Sequence, residues 1–335
     1  MANTAKAQTR FRDLAIRYGF LVLLLVIVIF FTVMEPAFMS LRSMVFIFQS
    51  VSITAVLALG VTATLVVDGF DLSIGSVAAS SMMAASYAMV VWGLGSVEAV
   101  ALCLLLGLGV GLFNGLLVVV ARVPDLLATL GTMFLLLGLQ LIPTAGRSIA
   151  KGMMMPDGST STGEFDKSFL FLGRHRLWDI VPVSVIIMLV LALVIWFFLE
   201  FTRWGRVMYA IGSNELASRL AGAPVSRYKI AAYMISGVSA SIGGILLAAR
   251  VGRGDVSSGN NLLLDAVAAA LIGFAVLGVA KPNAFGTLVG ALFVGVLLQG
   301  LTMMNAPYYA QDFVKGSVLV VALVFTFSLT RAARR

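Results

Sequence analysis

Long apolar stretches alternate with short polar breaks along nearly the whole chain. The run from Ser43 to Val67 carries no charged residue, and neither does the run from Leu72 to Val97. An apolar run of about 18 residues or more can cross a ~30 Å hydrocarbon core as a helix. Hydrocarbon offers backbone groups no hydrogen-bond partners, so such runs form helices. The short alternating segments of a β-barrel are not seen. The pattern predicts ten spans, over residues 18–38, 43–67, 73–93, 97–121, 125–143, 180–201, 228–249, 265–280, 284–304 and 316–330. The eighth is short for a full crossing. The expected fold is an all-α integral membrane protein, a polytopic bundle of about ten transmembrane helices in a single domain over residues 1–335.

Charge orients this bundle. With the N-terminus inside, 14 of the 23 Lys and Arg residues fall on the inner side and nine on the outer side. Cytoplasmic loops carry the excess of basic residues, so both termini are expected in the cytoplasm. The start, with Lys6, Arg10, Arg12 and Arg17 before an apolar stretch, resembles a signal peptide. It lacks a small-residue cleavage site and more spans follow, so it is read as an uncleaved first helix. Trp178 and Trp204 bracket the sixth span as interfacial anchors.

Two connections are too long to be turns. Residues 144–179, on the outer (periplasmic) side, include "PDGSTSTGEFDKS", polar enough to be solvated and mobile. Residues 202–227, on the cytoplasmic side, should be structured. Ser213 or Asn214 can cap a short helix there, Glu215 suits its first turn, and Gly222 can close it. Leu216 and Leu220 share one face with Ala217 and Ala221. A helix that short needs a partner surface.

Composition narrows the function. The chain is 60% hydrophobic and 11% charged, with mean hydropathy +1.04. Soluble domains carry about 25% charged residues, which argues against a water-soluble globule. The formal charge of +8 comes from residues flanking the spans and is read as topology rather than nucleic-acid binding. One cysteine, Cys103, and one histidine, His175, leave no material for a disulfide or a His/Cys metal site. None of the six lysines follows a glycine, so a Walker A loop is lacking. No catalysis and no cofactor are expected on this chain. Gly107, Gly111 and Gly115, and again Gly286 and Gly290, recur at four-residue spacing and suit close helix packing.

The stretch "VVDGFDLSIGS", residues 66–76, places two carboxylates, Asp68 and Asp71, in an otherwise apolar region. An acid at a helix centre costs about 2.5–3.5 kcal/mol on insertion scales, so such a residue faces a cavity or a partner. Asp71 and Ser73 precede the third span and can cap it. Gln49 in the second span, Asn114 in the fourth, and Thr129 and Thr132 in the fifth are polar at membrane depth. Each suits either an interhelical hydrogen bond or a solute path.

"QSVSITAVLALGVTATLVVDGFDLSIGSVAASS" resembles the signature of permease subunits of bacterial ABC importers for monosaccharides, the ribose-type family. Gly69, Asp71, Leu72, Ser73, Gly75 and Ser76 carry the match. "GLFNGLLVVVARVPDLLATLGTMFLLLGL", "AIGSNELASRLAGAPVSRYK", "LLLDAVAAALIG" and "FGTLVGALFVGVLLQGLTMM" extend it over nearly the whole chain. The family commonly has glycine at the position of Asp68 and a proline or apolar residue at that of Asp125. Its glycine-rich turn is reduced here to "GFAVLGVAKPN".

The resemblance implies an inner-membrane permease that pairs with a second copy or a paralogue. Its partners would be a cytoplasmic ATP-binding subunit, which would hold the ATP and Mg²⁺, and a periplasmic substrate-binding protein. Gln49, Asp71, Ser73, Ser76, Asn114, Thr129 and Thr132 are then candidates for the substrate path. Asn214, Glu215, Leu216, Ala217, Leu220, Ala221 and Gly222 are candidates for coupling to the ATPase. Rival expectations are an ABC permease for a branched-chain amino acid, a nucleoside or a furanose-like signal, and an ion-coupled secondary transporter.

Overall fold

The structure, a computed structural model, describes residues 19–155, 158–259, 262–275, 281–318 and 320. Thirteen helices are seen among them. In chain order they are α1 (Gly19–Met34), α2 (Leu41–Val66), α3 (Ile74–Val90), α4 (Ser96–Val119), α5 (Asp125–Leu139) and α6 (Lys167–Arg174). Then follow α7 (Val183–Phe201), α8 (Arg203–Ser213), α9 (Glu215–Leu220), α10 (Val225–Val251), α11 (Leu262–Ala275) and α12 (Ala284–Met303). A last helix, α13, runs over residues 308–318. Six helical stretches among the described residues are long and apolar enough to span a membrane: α2, α4, residues 125–144, α7, α10 and α12. The protein is an all-α, multi-pass membrane protein.

The first nine predicted spans each meet a helix, with edges shifted by a few residues. The end of the eighth, 276–280, lies outside the described residues, as do the N-terminal basic residues. The tenth differs. Helix α13 starts at residue 308, well before the expected 316, and residues 321–330 lie outside the described ones. The apolar pattern places the start late because Asp312 and Lys315 interrupt it. In the fold, Lys315 lies 3.3 Å from Asp265 of α11, so its charge is paired and helix can continue through it.

Helices α10 and α2 form the centre of the bundle. Helix α10 packs on α4, α2 and α3, and α12 packs on α11 and α2. Glycines set the closest approaches. A side chain at Gly107 would collide with the carbonyl of Gly237 on α10, and one at Gly111 with the carbonyl of Tyr233. Gly290 stands equally close to the carbonyl of Ala269 on α11. The four-residue glycine spacing thus lets backbones touch, as small residues do where lipid supplies no hydrophobic drive.

The connection 144–179 carries more structure than its polar composition suggests. Ile149 pairs with Gly254 in an isolated bridge. Helix α6 follows, and Arg176–Leu177 pairs antiparallel with Val181–Pro182. Phe169 of α6 is fully buried, and Arg174 donates to the carbonyls of Arg250 and Val251 at 3.0 and 2.7 Å. The segment is a cap on the C-terminal end of α10 rather than a plain solvated loop.

Candidate functional site

The break between α2 and α3 is built by two turns of different kinds. Helix α2 ends at Val66, and Asp68 takes a left-handed conformation, φ 57°. Its N–H donates to Leu65 at 3.1 Å, and Gly69 N–H donates to Thr64 at 3.0 Å. These two bonds form a Schellman motif, in which glycine is the usual left-handed residue and Asp a tolerated one. Asp68 is exposed, whereas Val67, Gly69, Asp71 and Ser73 are buried.

Asp71 then gathers the interior. Its Oδ1 accepts from the Ser73 N–H at 2.9 Å and the Ser73 hydroxyl at 2.6 Å. Its Oδ2 accepts from the hydroxyl of Ser236 on α10 at 2.7 Å. Asn114 of α4 donates to Ser73 Oγ at 2.9 Å, and Thr132 of α5 donates to Asn114 Oδ1 at 2.6 Å. One continuous network therefore joins α10, the break, α4 and α5. Asp71 is 1% exposed; its burial is tolerated because three donors satisfy it.

Asp71 does more than cap: it accepts the Ser73 N–H at the start of α3 and also ties that start to α10. Ser73 is the N-cap residue of α3 and makes no side-chain cap bond. Its hydroxyl is turned to Asp71, and Asp71 accepts from Ser73 and from α10. The first turn of α3 is instead tightened by Ser76, whose hydroxyl donates to Ser73 O at 2.7 Å.

Helix α5 holds the same break from the other side. Asp125 Oδ2 accepts the N–H of Phe70 at 2.7 Å, and Thr129 Oγ1 accepts that of Leu72 at 3.1 Å. Two backbone donors freed by the break are thus satisfied by side chains. Of the expected path residues, Asp71, Ser73, Ser76, Asn114, Thr129 and Thr132 come together here. Gln49 does not. It donates to Gly173 O at 2.7 Å and ties α2 to α6, more than four helical turns up α2 from the break.

Ser236, Asp125 and Tyr233 belong to this site and were not singled out by the sequence. Asp125 was visible only as a departure from the family pattern. Ser236 lies in "YMISGVSAS", whose small residues signal helix contact but not which helix they meet.

Below the break lies the loop 202–227. Thr202 caps α8 by accepting from Gly205 N at 3.1 Å. Asn214 caps α9 by accepting from Ala217 N at 2.9 Å. Gly222, φ 85°, closes α9 in the left-handed conformation, with Ala223 N donating to Ser218 O at 3.0 Å. Leu216 and Leu220 are 68% and 82% exposed, and Ala217 and Ala221 are exposed beside them. Glu215 accepts from Lys229 of α10 at 2.6 Å and from Arg219 at 2.7 Å. The hydrogen bond from Lys229, reinforced by Arg219, holds its carboxyl below the ordinary glutamate range.

This arrangement positions helices and presents an apolar face. Among the described residues no group of three or more His, Cys, Asp or Glu side chains converges to hold a metal. Residues 43–323 match the family model of the branched-chain amino acid transport system permease component. The chain belongs to that family. Over 307 residues the permease is 34% identical to the ribose import permease protein RbsC of Escherichia coli strain K12, covering 91% of each chain. Over 302 residues it is 31% identical to the Bacillus subtilis ribose import permease, covering 90% of this chain and 89% of the relative. The autoinducer 2 import system permease LsrC of Yersinia pseudotuberculosis serotype O:3 is 32% identical to it over 307 residues, 90% of this chain and 82% of the relative. No solved structure matches it. The network around Asp71 and the exposed face of α9 are therefore features of a permease.

Proposed function

We propose that this permease is the membrane-spanning subunit of an ATP-driven importer that carries a monosaccharide or a related small polyol across a bacterial inner membrane. Identity of 34% over 91% of both chains to a ribose import permease carries this reading. In it the chain is one permease domain of about ten spans with both termini in the cytoplasm, and it pairs with a second copy or a paralogue. A periplasmic binding protein delivers the solute to the outer face. ATP and Mg²⁺ are held by a separate cytoplasmic subunit, and no bond is made or broken on this chain. Helix α9 is the element that subunit grips, which accounts for two leucines left exposed on a capped helix of six residues. Movement of α9 reaches the bundle through the Glu215–Lys229 pair, and the network at Asp71 is the part of the solute path that rearranges.

Proteoliposomes holding the permease, its ATPase and its binding protein test this with radiolabelled D-ribose, a hexose panel and leucine. Import of a sugar that needs ATP and survives an uncoupler is expected. Import that an uncoupler abolishes while ATP remains would point to an ion-coupled carrier instead. Transport of leucine and of no sugar would move the substrate to the amino acid branch.

A further inference from the structure

Between α9 and the Asp71 network lies a cavity of about 240 Å³ whose wall includes Asp68, Arg122, Asp125, Lys229 and Tyr233. Its position follows from α10. Lys229, Tyr233 and Ser236 recur at i, i+4 and i+7 and so lie on one face. Lys229 meets α9, Tyr233 faces the break, and Ser236 holds Asp71. The cavity is thus on the α9 side of the network, the cytoplasmic side of the site described above.

Three observations make it a site rather than a gap. The hydroxyl of Tyr233 is buried, on a residue 1% exposed, and no side chain among the described residues pairs with it. A buried hydroxyl ordinarily finds a partner. Gly69 stands directly beside it; a Cβ there would come within 2.9 Å of the hydroxyl, so any other residue at this position would crowd that oxygen. Charge in the wall is balanced. Asp68 and Asp125 oppose Arg122 and Lys229, and adding the ion-paired Glu215 and Arg219 gives three acids against three bases. Such a wall presents donors and acceptors without a net field for an ion. It suits a neutral solute rich in hydroxyl groups, since each hydroxyl both donates and accepts. The volume is below the roughly 300–1,000 Å³ of pockets for drug-sized ligands, which fits a single small sugar.

We propose that this cavity is an inward-side binding subsite for a neutral polyhydroxylated solute, with Tyr233, Arg122 and Asp125 as its hydrogen-bonding groups. The proposal rests on the reading of the chain as a polyol permease. Solute leaving the Asp71 network would be held here before release, next to the lysine that α9 engages.

The test is saturation-transfer NMR of D-ribose with the full-length permease in nanodiscs bound to its ATPase. The wild-type complex is expected to transfer saturation to ribose. Tyr233→Phe, which removes only the buried hydroxyl, and Arg122→Gln are each expected to cut the transfer at least fivefold. Arg122 is exposed and keeps the test open should the α10 variant fail to fold. Equal transfer by wild type and a folded variant would overturn the subsite, and so would wild-type protein that transfers nothing. Import of ribose by proteoliposomes with either of those NMR results would leave the proposed function standing and remove only the subsite.

Discussion

Ser236 donates a hydrogen bond of 2.7 Å to Asp71, a residue 165 positions earlier in the chain. It fastens the break between α2 and α3 to the middle of α10, the helix that also meets α9 through Lys229. The bond is to a buried carboxylate, and hydrogen bonds to charged groups contribute about 1.5–3 kcal/mol. In Asp71→Asn one acceptor oxygen becomes an NH₂ group, so Ser236 or Ser73 loses its partner. Import is expected to fall at least tenfold in that variant while the protein still assembles in the membrane. Ser236→Ala is expected to act in the same direction, and the double variant to be less than additive because the two residues share one bond. Uptake by Asp71→Asn close to wild type would confine the carboxylate to a local structural role.

Packing by glycine gives a second prediction. Gly111 lies against the backbone of α10 at Tyr233 and Met234, and backbone cannot move aside as a flexible side chain can. Gly111→Leu is expected to separate α4 from α10 and to destabilise the protein beyond the 1–3 kcal/mol typical of overpacked cores. A lowered midpoint in thermal unfolding and loss of a monodisperse peak in size-exclusion chromatography would report it. Gly109, which has open space where its Cβ would be, is the control and should tolerate alanine.

The leucines of α9 should behave in the opposite way. Exposed positions of this kind change stability by no more than about 0.5 kcal/mol when substituted. Leu216→Asp and Leu220→Asp are therefore expected to fold normally and to lose association with the ATPase in a pull-down, with import lost as well. An undiminished pull-down would remove α9 from the coupling role.

Glu215 adds a pH dependence. Its carboxyl lies below the ordinary glutamate value of 4.5 in the folded protein, through its bonds to Lys229 and Arg219. A lowered folded value means that the ion pair contributes in full above pH about 4.5 and is lost as pH falls through the folded value. Hydrogen exchange of α9, corrected for intrinsic rate, should stay slow from neutral pH down to that range and rise below it. Lys229→Met should move the rise to higher pH. A rise at the same pH in both proteins would show that the pair does not hold α9.

What the sequence allowed one to read, and what it did not, divides by the range of the interaction. The boundaries of α2, α4, α7 and α12, the cap at Asn214 and the closing Gly222 depend on neighbours a few residues away, and local pattern carries them. The apolar periodicity of α13 failed at Lys315 because its counter-charge, Asp265, is 50 positions distant. The connection 144–179 looked like a solvated loop because its partners, Arg250 and Val251 at the end of α10 and Gly254 just beyond it, are distant in sequence. Asp71 could be recognised as unusual, but its partner Ser236 could not be found, since one serine among several on a helix face carries no address. Two carboxylates three residues apart gave no hint that one is exposed and the other buried.

Asp68 yields the last prediction, because its backbone conformation explains why the family commonly places glycine there. An ordinary L-residue in the left-handed region costs about 1–2 kcal/mol, less for Asp, whose side chain can bond locally. Glycine has no such cost but loses more chain entropy on folding, so Asp68→Gly is expected to raise stability by at most about 1 kcal/mol. A β-branched residue meets the full steric penalty, and Asp68→Val should lower the melting temperature clearly below wild type. The predicted order is glycine at or above aspartate, with valine last. Equal melting temperatures for the glycine and valine variants would mean that the turn after α2 does not need its left-handed residue. The break would then owe its shape to Asp125 and Thr129 of α5 alone, and Asp125→Ala, which leaves the N–H of Phe70 without its acceptor, should prove the more damaging change.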